Sequence, residues 1–219
     1  MRKKEGVPPP TAERLPRYYR DLMNRQEIGQ ATVSSEEIGL SLDIEPAQVR
    51  KDLSYIWGKG RPGVGYRTHD LLNRLGFLLG ASSGHRVALV GLGKLGSALA
   101  DYSGFSDYGL DIVGLFDRDS NKIGTMMDGK TIMPVSELGR FIDENRIDMG
   151  IIAVSADSAQ RIADELIAHG VVAIWNFAPI VLRSRPGVLV RNEDLAADLA
   201  VLSYRLQNEK IKKQDQGGY

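Results

Sequence analysis

The chain has 219 residues, 42% of them hydrophobic, which is enough to bury the core of one large domain or of a small domain followed by a medium one. It contains no cysteine, which excludes disulfides and thiolate metal sites, and its three scattered histidines form no ligand cluster, so we expect no metal. The net charge is zero, but residues 1–80 carry 13 basic against 10 acidic side chains and residues 81–219 carry 15 against 18, so only the front half has the charge sign that suits a polyanion.

Neither secretion nor membrane insertion is expected from the sequence. The start "MRKKEGVPPP" lacks the apolar segment of a signal peptide. No apolar run approaches the roughly 20 residues of a membrane-spanning helix. We therefore expect a cytoplasmic protein.

The front half begins with a predicted flexible lead and continues with three predicted helices. Residues 1–13 contain "PPP" and mixed charge, which favours a flexible segment. "LPRYYRDLMNRQEIG", from Leu15, has helical apolar spacing and ends at a glycine. Two short helices follow, one after an N-cap at Ser34 or Ser35 and one with Pro46 in its first turn.

A glycine-rich segment follows these helices. "GKGRPGVGYR" (58–67) holds four glycines and a proline, which excludes a helix and suits a hairpin or extended loop. Three helices followed by a basic flap are typical of a winged helix. An apolar helix over 68–79 and the linker "GASSG" (80–84) come next. The sequence thus predicts a winged-helix DNA-binding domain with its linker helix over 1–80, in which about 17–56 form the helix-turn-helix region and about 58–67 the wing.

From His85 onward, short apolar runs alternate with amphipathic helices, which is typical of a parallel sheet covered on both faces. "RVALVG", "LDIVGLFD", "DMGIIAVS" and "VVAIWNFAP" predict four strands. We therefore expect an α/β protein in which 81–191 form a Rossmann-type, doubly wound, parallel-sheet domain. "NEDLAADLAVLSYRL" predicts a further helix with four leucines along one stripe, so 192–219 hold this helix and a polar tail that we expect not to be ordered.

"GLGKLG" (91–96) matches G-x-G-x-x-G between a strand and a helix. In that context the first glycine permits the turn, the second lets the backbone approach a pyrophosphate, and the third lets helix and strand pack. Asp117, which ends the second strand, can accept hydrogen bonds from an adenosine ribose and repel a 2′-phosphate. NAD(H) is therefore favoured over NADP(H), although Lys94 and Arg118 oppose this preference. The alternatives are a glycine turn kept only for packing and a site for another nucleotide, such as coenzyme A.

The carboxyl edge of the predicted sheet lacks the groups that a dehydrogenase needs. A general acid or base is required beside the nicotinamide. The segments "AVSADS" and "WNFAP" offer Ser155, Asn176 and Phe177 but no histidine, lysine or Tyr-x-x-x-Lys pair. We expect this domain to hold a dinucleotide without reacting it, so no catalytic residue is predicted. The predicted cofactor-binding residues are Gly91, Leu92, Gly93, Lys94, Leu95, Gly96, Asp117, Arg118, Val154, Ser155, Asn176, Phe177, Ala178 and Pro179.

The third predicted helix has a polar face suited to DNA. Arginine and lysine can bridge guanine O6 and N7 or neutralise phosphate, while serine and tyrosine suit phosphate oxygens. The alternative is an ordinary solvated helix face. The basic flap favours DNA, because an arginine on a narrow loop can enter a minor groove. The predicted DNA-binding residues are Ser35, Gln48, Arg50, Lys51, Ser54, Tyr55, Lys59, Arg61, Tyr66 and Arg67.

Several segments, taken together and in order, resemble the family of redox-sensing transcriptional repressors called Rex. They are "LPRYYRDL", "SSEEIGLSLDI", "AQVRKDLSY", "GVGY", "GLGKLGSALADY", "FD", "NFAP" and the closing helix, and they run from about residue 14 to 206. The resemblance implies a homodimer whose winged helices bind an inverted-repeat operator and whose Rossmann domains bind NADH or NAD⁺. It also implies a C-terminal helix swapped between subunits, and release of DNA when NADH binds.

The preference for NADH has a physical basis. The two forms share every phosphate and ribose contact, so discrimination must come from the nicotinamide ring, which is cationic when oxidised and neutral when reduced. Burying the neutral ring costs far less desolvation free energy. Phe177, Ala178, Pro179 and, by the resemblance, the partner's Leu195 can supply an apolar pocket.

The resemblance also implies a set of switch residues, namely Arg20, Tyr102 and Asp194. We hypothesise that Asp194 pairs with Tyr102 in one state and with Arg20 across the dimer interface in the other. Asp194 as a simple N-terminal helix charge, and Tyr102 as a core aromatic, are the alternatives.

Three other functions stay open on the residues alone. One is an NAD-dependent oxidoreductase with a regulatory N-terminal domain, which the missing acid or base disfavours. Another is a coenzyme-A-binding regulator, which Asp117 disfavours. The last is a structural protein whose wing contacts protein rather than DNA.

Overall fold

The computed structural model describes residues 6–58, 60–61 and 63–216, which form two units. The first unit runs up to Gly84 and also takes in Gly104–Leu110. The second unit contains His85–Ser103 and the chain from Asp111 onward. The main segment of the first unit therefore ends at Gly84 rather than at residue 80. The sequence did not indicate that a short later segment belongs to this unit as well.

The first unit is helical with a small two-stranded sheet. Its two strands, Thr32–Val33 and Tyr66–Arg67, pair antiparallel, with Val33 opposite Tyr66. The expected flexible lead is wrong for residues 9–12, which form a short helix, while residues 1–5 lie outside the described residues. The elements are α1 (Pro9–Ala12), α2 (Leu15–Glu27), β1 (Thr32–Val33), α3 (Ser35–Leu42), α4 (Pro46–Ile56), β2 (Tyr66–Arg67) and α5 (Thr68–Leu79).

Local sequence signals explain where the two central helices begin. Ser34 is the N-cap of α3, and it forms a capping box in which its side chain accepts from the Glu37 amide and Glu37 accepts from the Ser34 amide. Asp43 ends α3 in the left-handed conformation, with φ of 53°. Pro46 then occupies the first turn of α4, where its missing N–H costs no helical hydrogen bond. The two helices therefore follow each other closely, as the sequence predicted.

A buried carboxylate joins four parts of the first unit. Asp52, on α4, is fully buried beside the hydrophobic core of this unit. Its two oxygens accept hydrogen bonds from Thr11 Oγ1 (2.8 Å), Tyr18 OH (2.7 Å), Gln48 Nε2 (2.8 Å) and Arg14, whose Nε and Nη2 lie at 2.7 and 2.9 Å. A carboxylate has about four lone-pair positions, so its capacity as an acceptor is saturated. The network ties α1, the α1–α2 junction and α2 to the inner face of α4.

The ionisation of Asp52 follows from these contacts. Burial alone raises the pKa of a carboxyl, but the hydrogen bonds from Arg14, Tyr18, Thr11 and Gln48 outweigh burial and hold the pKa of Asp52 at about 2. The group is therefore ionised at physiological pH.

The second unit is an α/β sheet domain. Its elements are β3 (His85–Val90), α6 (Lys94–Ala100), β4 (Leu110–Asp117), β5 (Met126–Met127), β6 (Lys130–Pro134), α7 (Leu138–Asn145), β7 (Met149–Ile152), α8 (Ala156–Ala168), β8 (Ala173–Asn176), β9 (Leu189–Asn192) and α9 (Leu195–Gln216), with a 3₁₀ turn at Val135–Glu137. A second 3₁₀ turn, Ser103–Tyr108, lies almost entirely in the later segment of the first unit. The seven strands lie in the order β5-β6-β4-β3-β7-β8-β9.

The sheet is parallel except at one edge. Strand β7 pairs parallel with both β3 and β8, β8 pairs parallel with β9, and β4 pairs parallel with β6, while β5 is antiparallel to β6. The α/β class and the parallel sheet are thus confirmed. Strands β5, β6 and β9 were not predicted, because they lack a continuous apolar run.

The last helix is longer than the sequence indicated. Helix α9 continues to Gln216 and so into the predicted polar tail, and 217–219 lie outside the described residues. The expectation that the tail is not ordered stays a prediction. None of the described helices is long and apolar enough to cross a membrane.

We expect Asp52→Ala to lower the free energy of unfolding of the first unit by about 3–5 kcal/mol, because the substitution leaves buried donors without an acceptor. Urea unfolding followed by amide hydrogen exchange in α2 and α4 measures this. Asp70→Ala is the matched control, since Asp70 lies 3.6 Å from Arg67 in an exposed pair and its loss should cost less than about 1 kcal/mol. Equal losses in the two variants would contradict the role of Asp52.

The same carboxylate predicts a pH dependence. The folded pKa of about 2 is below the ordinary value of 3.8, so the contribution of ionised Asp52 is complete above about pH 4 and is lost as the pH falls through 2. Between pH 4 and 2 the stability of the wild type should fall more steeply than that of Asp52→Asn. Parallel pH profiles of the two proteins would exclude this prediction.

Candidate functional site

The glycine loop between β3 and α6 contains two glycines that the fold requires and one that it does not. Gly91 has φ of +97°, and a Cβ there would lie 2.6 Å from the Ala153 carbonyl oxygen. A Cβ on Gly96 would lie 1.8 Å from the Gly91 carbonyl oxygen. A Cβ on Gly93 would meet nothing within 4 Å. Packing therefore explains Gly91 and Gly96, whereas Gly93 leaves an open backbone surface that a ligand can approach.

A cavity of about 320 Å³ lies beside this loop, within the second unit. Its walls include two predicted strand-end segments as well as the start of α8. Of the predicted residues, Gly91, Gly93, Asp117, Arg118, Val154 and Ser155 line it. The sequence did not identify the other lining residues, which are Asp119, Lys122, Val135, Ala153, Ser158, Arg161 and Ile162.

Asp117 holds the glycine loop in place. Its Oδ2 accepts from the Leu92 amide at 2.7 Å and its Oδ1 accepts from the Asp119 amide at 2.9 Å. Burial alone raises the pKa of this carboxyl, but the hydrogen bonds from the two amides and the charge of Lys122 outweigh burial. The pKa of Asp117 therefore lies below its ordinary value. Oδ2 also lies 3.5 Å from Lys122 Nζ, so Oδ1 is the oxygen with a lone pair left for a ligand hydroxyl. The predicted ribose contact therefore remains sterically and chemically possible, alongside a positioning role.

Lys122 is a site residue that the sequence did not indicate. Its Nζ donates to the Leu92 carbonyl oxygen at 2.9 Å and lies 3.5 Å from Asp117 Oδ2. The backbone of Leu92 is thus held at two atoms, its N–H by Asp117 and its carbonyl oxygen by Lys122. A lysine in a loop after the strand has no sequence pattern that would reveal this contact.

Several of the predicted cofactor-binding residues do not line this cavity. Leu92 is buried and Gly96 packs against the loop, while Lys94 and Leu95 are exposed on α6. None of these four is among the described lining residues of the cavity.

Asn176 belongs to the core rather than to an open surface. Its Nδ2 donates to the Ala178 and Ile180 carbonyl oxygens and to Asn192 Oδ1, and its Oδ1 accepts from the Ala178 amide. Asn176 and Ala178 are 0% and 2% exposed. The expectation that these two side chains contact a cofactor is therefore corrected, since they shape the turn after β8 instead. Phe177 is half-buried and Pro179 exposed on that turn.

In the first unit, a groove of about 760 Å³ lies between α4 and the glycine-rich segment after it. Its predicted basic residues are Arg50, Lys51 and Arg61. Lys59 lies outside the described residues. The described lining residues are Ser34, Ser35, Glu36, Glu37, Arg50, Lys51, Ser54, Gly60, Arg61, Gly63, Val64, Gly65 and Tyr66.

Two of the predicted DNA-binding side chains face inward. Gln48 is half-buried and donates to Asp52, and Tyr66 is 5% exposed within the core. Gln48 supports α4 through Asp52, while Tyr66 still lines the groove, so a DNA contact by either residue stays a prediction. Tyr55 and Arg67 are exposed but are not among the described lining residues, so the structure does not bring them into the groove with the others.

The predicted switch residues are placed as follows. The Arg20 guanidinium lies 5.6 Å from the centre of the Tyr108 ring, and Tyr102 is 50% exposed, which argues against a core role for Tyr102. Asp194 Oδ1 accepts from the amides of Ala196 and Ala197 and so caps α9. The cap corresponds to the simpler alternative for Asp194, and its pairing with Tyr102 or Arg20 stays a prediction.

The two sites define a class of protein. No three His, Asp or Glu side chains gather as a metal site among the described residues. A helix-turn-helix unit with a basic groove, joined to a parallel-sheet unit with an open glycine loop, is the arrangement of a nucleotide-responsive DNA-binding regulator.

Comparisons with known proteins agree with this class. Residues 6–54 match a family model described as "Putative DNA-binding protein N-terminus", and residues 82–180 match one described as "CoA binding domain". A redox-sensing transcriptional repressor Rex from Desulfitobacterium hafniense is 44% identical over 91% of this chain and 95% of that protein. One from Roseiflexus sp. is 42% identical over 95% of each chain.

Solved structures extend the comparison. The crystal structure of RSP in complex with β-NAD⁺ and operator DNA has a TM-score of 0.88 and 34% identity over 97% of this chain and 98% of that chain. RSP in complex with β-NADH has a TM-score of 0.82 and 34% identity over 95% and 98%. RSP is a Rex-family repressor. The present chain belongs to the Rex family of redox-sensing transcriptional repressors.

The glycine geometry predicts that one of two alanine substitutions destabilises the second unit and that the other leaves its stability almost unchanged. Gly96→Ala should lower the free energy of unfolding of the second unit by about 1–3 kcal/mol, because its methyl group collides with the Gly91 carbonyl oxygen. Gly93→Ala should change it by less than about 0.5 kcal/mol. Trp175 fluorescence in urea, in a Trp57→Phe background, measures both. A loss at Gly93 as large as that at Gly96 would mean that packing accounts for all three glycines.

Proposed function

We propose that this chain is a transcriptional repressor that binds inverted-repeat operator DNA as a homodimer and is released when NADH binds, so that it reports the NADH/NAD⁺ ratio. The observation that carries the proposal is the presence, on one chain, of the basic groove and of the glycine loop with its open Gly93. The RSP complexes with operator DNA and with each form of the cofactor support it. The nucleotide is sensed and not turned over. We expect a cytoplasmic location, where operator DNA lies.

The preference for NADH rests on the charge of the nicotinamide ring. The half-buried Phe177 and the exposed Pro179 offer apolar surface after β8, and the partner's Leu195 completes the pocket in the proposed dimer. The cationic ring of NAD⁺ loses more hydration free energy in such a pocket than the neutral ring of NADH does.

The proposed dimer is supported by the surface of α9. Apolar side chains along this helix are more than half exposed, which is a large unpartnered surface for one chain. Packing α9 against a second subunit, as the swapped helix of our proposal does, removes this surface from water. These side chains are Leu195, Leu199, Val201, Leu202, Tyr204 and Leu206.

Coenzyme A is the second candidate ligand, because the family model matched by residues 82–180 is described by that cofactor. The ionised Asp117 beside the glycine loop favours an adenosine ribose that carries no phosphate, as in NADH, over the 3′-phosphorylated ribose of coenzyme A. A binding titration separates the two ligands.

The first test is fluorescence anisotropy with a labelled inverted-repeat duplex selected from a randomised pool, at fixed salt. NADH should release the duplex at concentrations at which NAD⁺ and coenzyme A do little. Gly93→Val is the matched control, since it should bind the duplex normally but fail to respond to NADH. Equal effects of the three ligands would contradict the proposal, as would a separate salt titration without ligand in which duplex binding does not weaken steeply.

We expect Asp194→Asn to bind the duplex with wild-type affinity but to lose release by NADH. Asparagine keeps the N-cap of α9 and removes the charge that the proposed switch needs. Asp198→Asn, one turn further along α9, makes the same charge change and should be released normally. Unaltered release of Asp194→Asn in the anisotropy titration would leave Asp194 with its capping role alone.

A further inference from the structure

An acidic side chain lies in the basic groove of the first unit. Glu36, in the first turn of α3, lines the groove together with Arg50 and Lys51. Its Oε1 accepts from Arg50 Nη1 at 2.8 Å and its Oε2 accepts from Ser35 Oγ at 3.1 Å. The same Nη1 donates to Ser35 Oγ at 3.1 Å. The three groups form a closed triangle that joins α3 to α4 in the lining of the groove.

Neither folding nor general attraction to DNA accounts for this carboxylate. The Arg50–Glu36 pair is solvent-exposed, with 52% and 65% of the side-chain surfaces accessible, and such pairs contribute little to stability. Hydrogen bonds from its own backbone amide and from Ser35 lower the pKa of Glu36, so the group is ionised at neutral pH. A negative charge in a groove that receives a phosphate backbone weakens non-specific binding.

The neighbouring Glu37, and not Glu36, caps the start of α3. Glu37 closes the capping box with Ser34 and accepts from Gln30 Nε2 at 2.9 Å. The start of α3 is therefore already capped without Glu36.

We infer that Glu36 is a positioning residue that holds Arg50 for base reading. A guanidinium has five N–H donors in a rigid plane, and fixing Nη1 against Glu36 and Ser35 leaves the other donors for a bidentate contact with guanine O6 and N7. Lys51 and Ser54, which also line the groove, are left to bind phosphate. The inference rests on the proposed function, since it assumes that the groove binds operator DNA.

This role predicts a specific signature in binding. Loss of the Glu36 charge removes an electrostatic repulsion that acts on every duplex. It also frees the Arg50 side chain, which weakens binding only to a duplex whose bases Arg50 reads. Glu36→Gln should therefore weaken binding to the selected operator duplex about tenfold, while binding to a scrambled duplex of equal length stays the same or tightens. A purely structural role of Glu36 would change both affinities in the same direction.

The experiment measures both dissociation constants by anisotropy at one salt concentration, for Glu36→Gln and for the control Glu45→Gln. Glu45 precedes α4, is exposed and makes no side-chain cap, so its substitution makes the same charge change outside the described groove lining. A double-mutant cycle with Arg50→Lys tests the coupling, and Glu36→Gln should have no further effect on operator preference in that background.

Three results would overturn the inference. They are an equal tightening for both duplexes, an equal weakening for both duplexes together with a lower unfolding temperature, and an effect of Glu36→Gln that persists in full with Arg50→Lys. If the wild type itself does not prefer the selected duplex, the proposed function fails instead, so the two failures are distinguishable.

Discussion

The saturated carboxylate of Asp52 decides how α4 is presented to solvent. Five donor atoms from four side chains converge on it, so α4 can rotate only by leaving a buried charge unpaired. Because Gln48 and Asp52 lie one helical turn apart on the inner face, Arg50, Lys51 and Ser54 are turned to the outer one, where they line the groove. A buried polar interaction on the inner face of α4 thus defines which side chains of its outer face can meet a ligand.

In the second unit, polar contacts likewise fix the conformation of a backbone segment, the glycine loop. The backbone of Leu92 is held at its N–H by Asp117 and at its carbonyl oxygen by Lys122. Gly96 lies so close to the Gly91 carbonyl oxygen that no side chain fits at position 96. The loop is therefore already shaped before any nucleotide arrives, which lowers the entropic cost of binding. Gly93, which nothing within the unit requires, is the part of the loop left for the ligand.

The proposed switch must convert a small chemical difference into a change in DNA binding. NADH and NAD⁺ differ in the charge of one ring, so only groups near that ring can distinguish them, and the exposed apolar face of α9 offers a surface through which a second subunit can respond. Asp194 caps this helix next to Leu195, where the exposed apolar face begins. The inferred role of Glu36 adds selectivity in the groove, independent of the nucleotide.

The sequence by itself determined the features that depend on neighbours along the chain. The helical spacing of α2, the capping residues before α3, the apolar strands β3, β4, β7 and β8, and the three-glycine loop were all predictable from local pattern. The tertiary structure alone decided that Gln48, Tyr66 and Asn176 face inward, and that Lys122 and Glu36 belong to the sites. The reason is physical, since partners such as Thr11 and Asp52 are 41 residues apart, and no local spacing encodes which distant side chain will satisfy a buried charge.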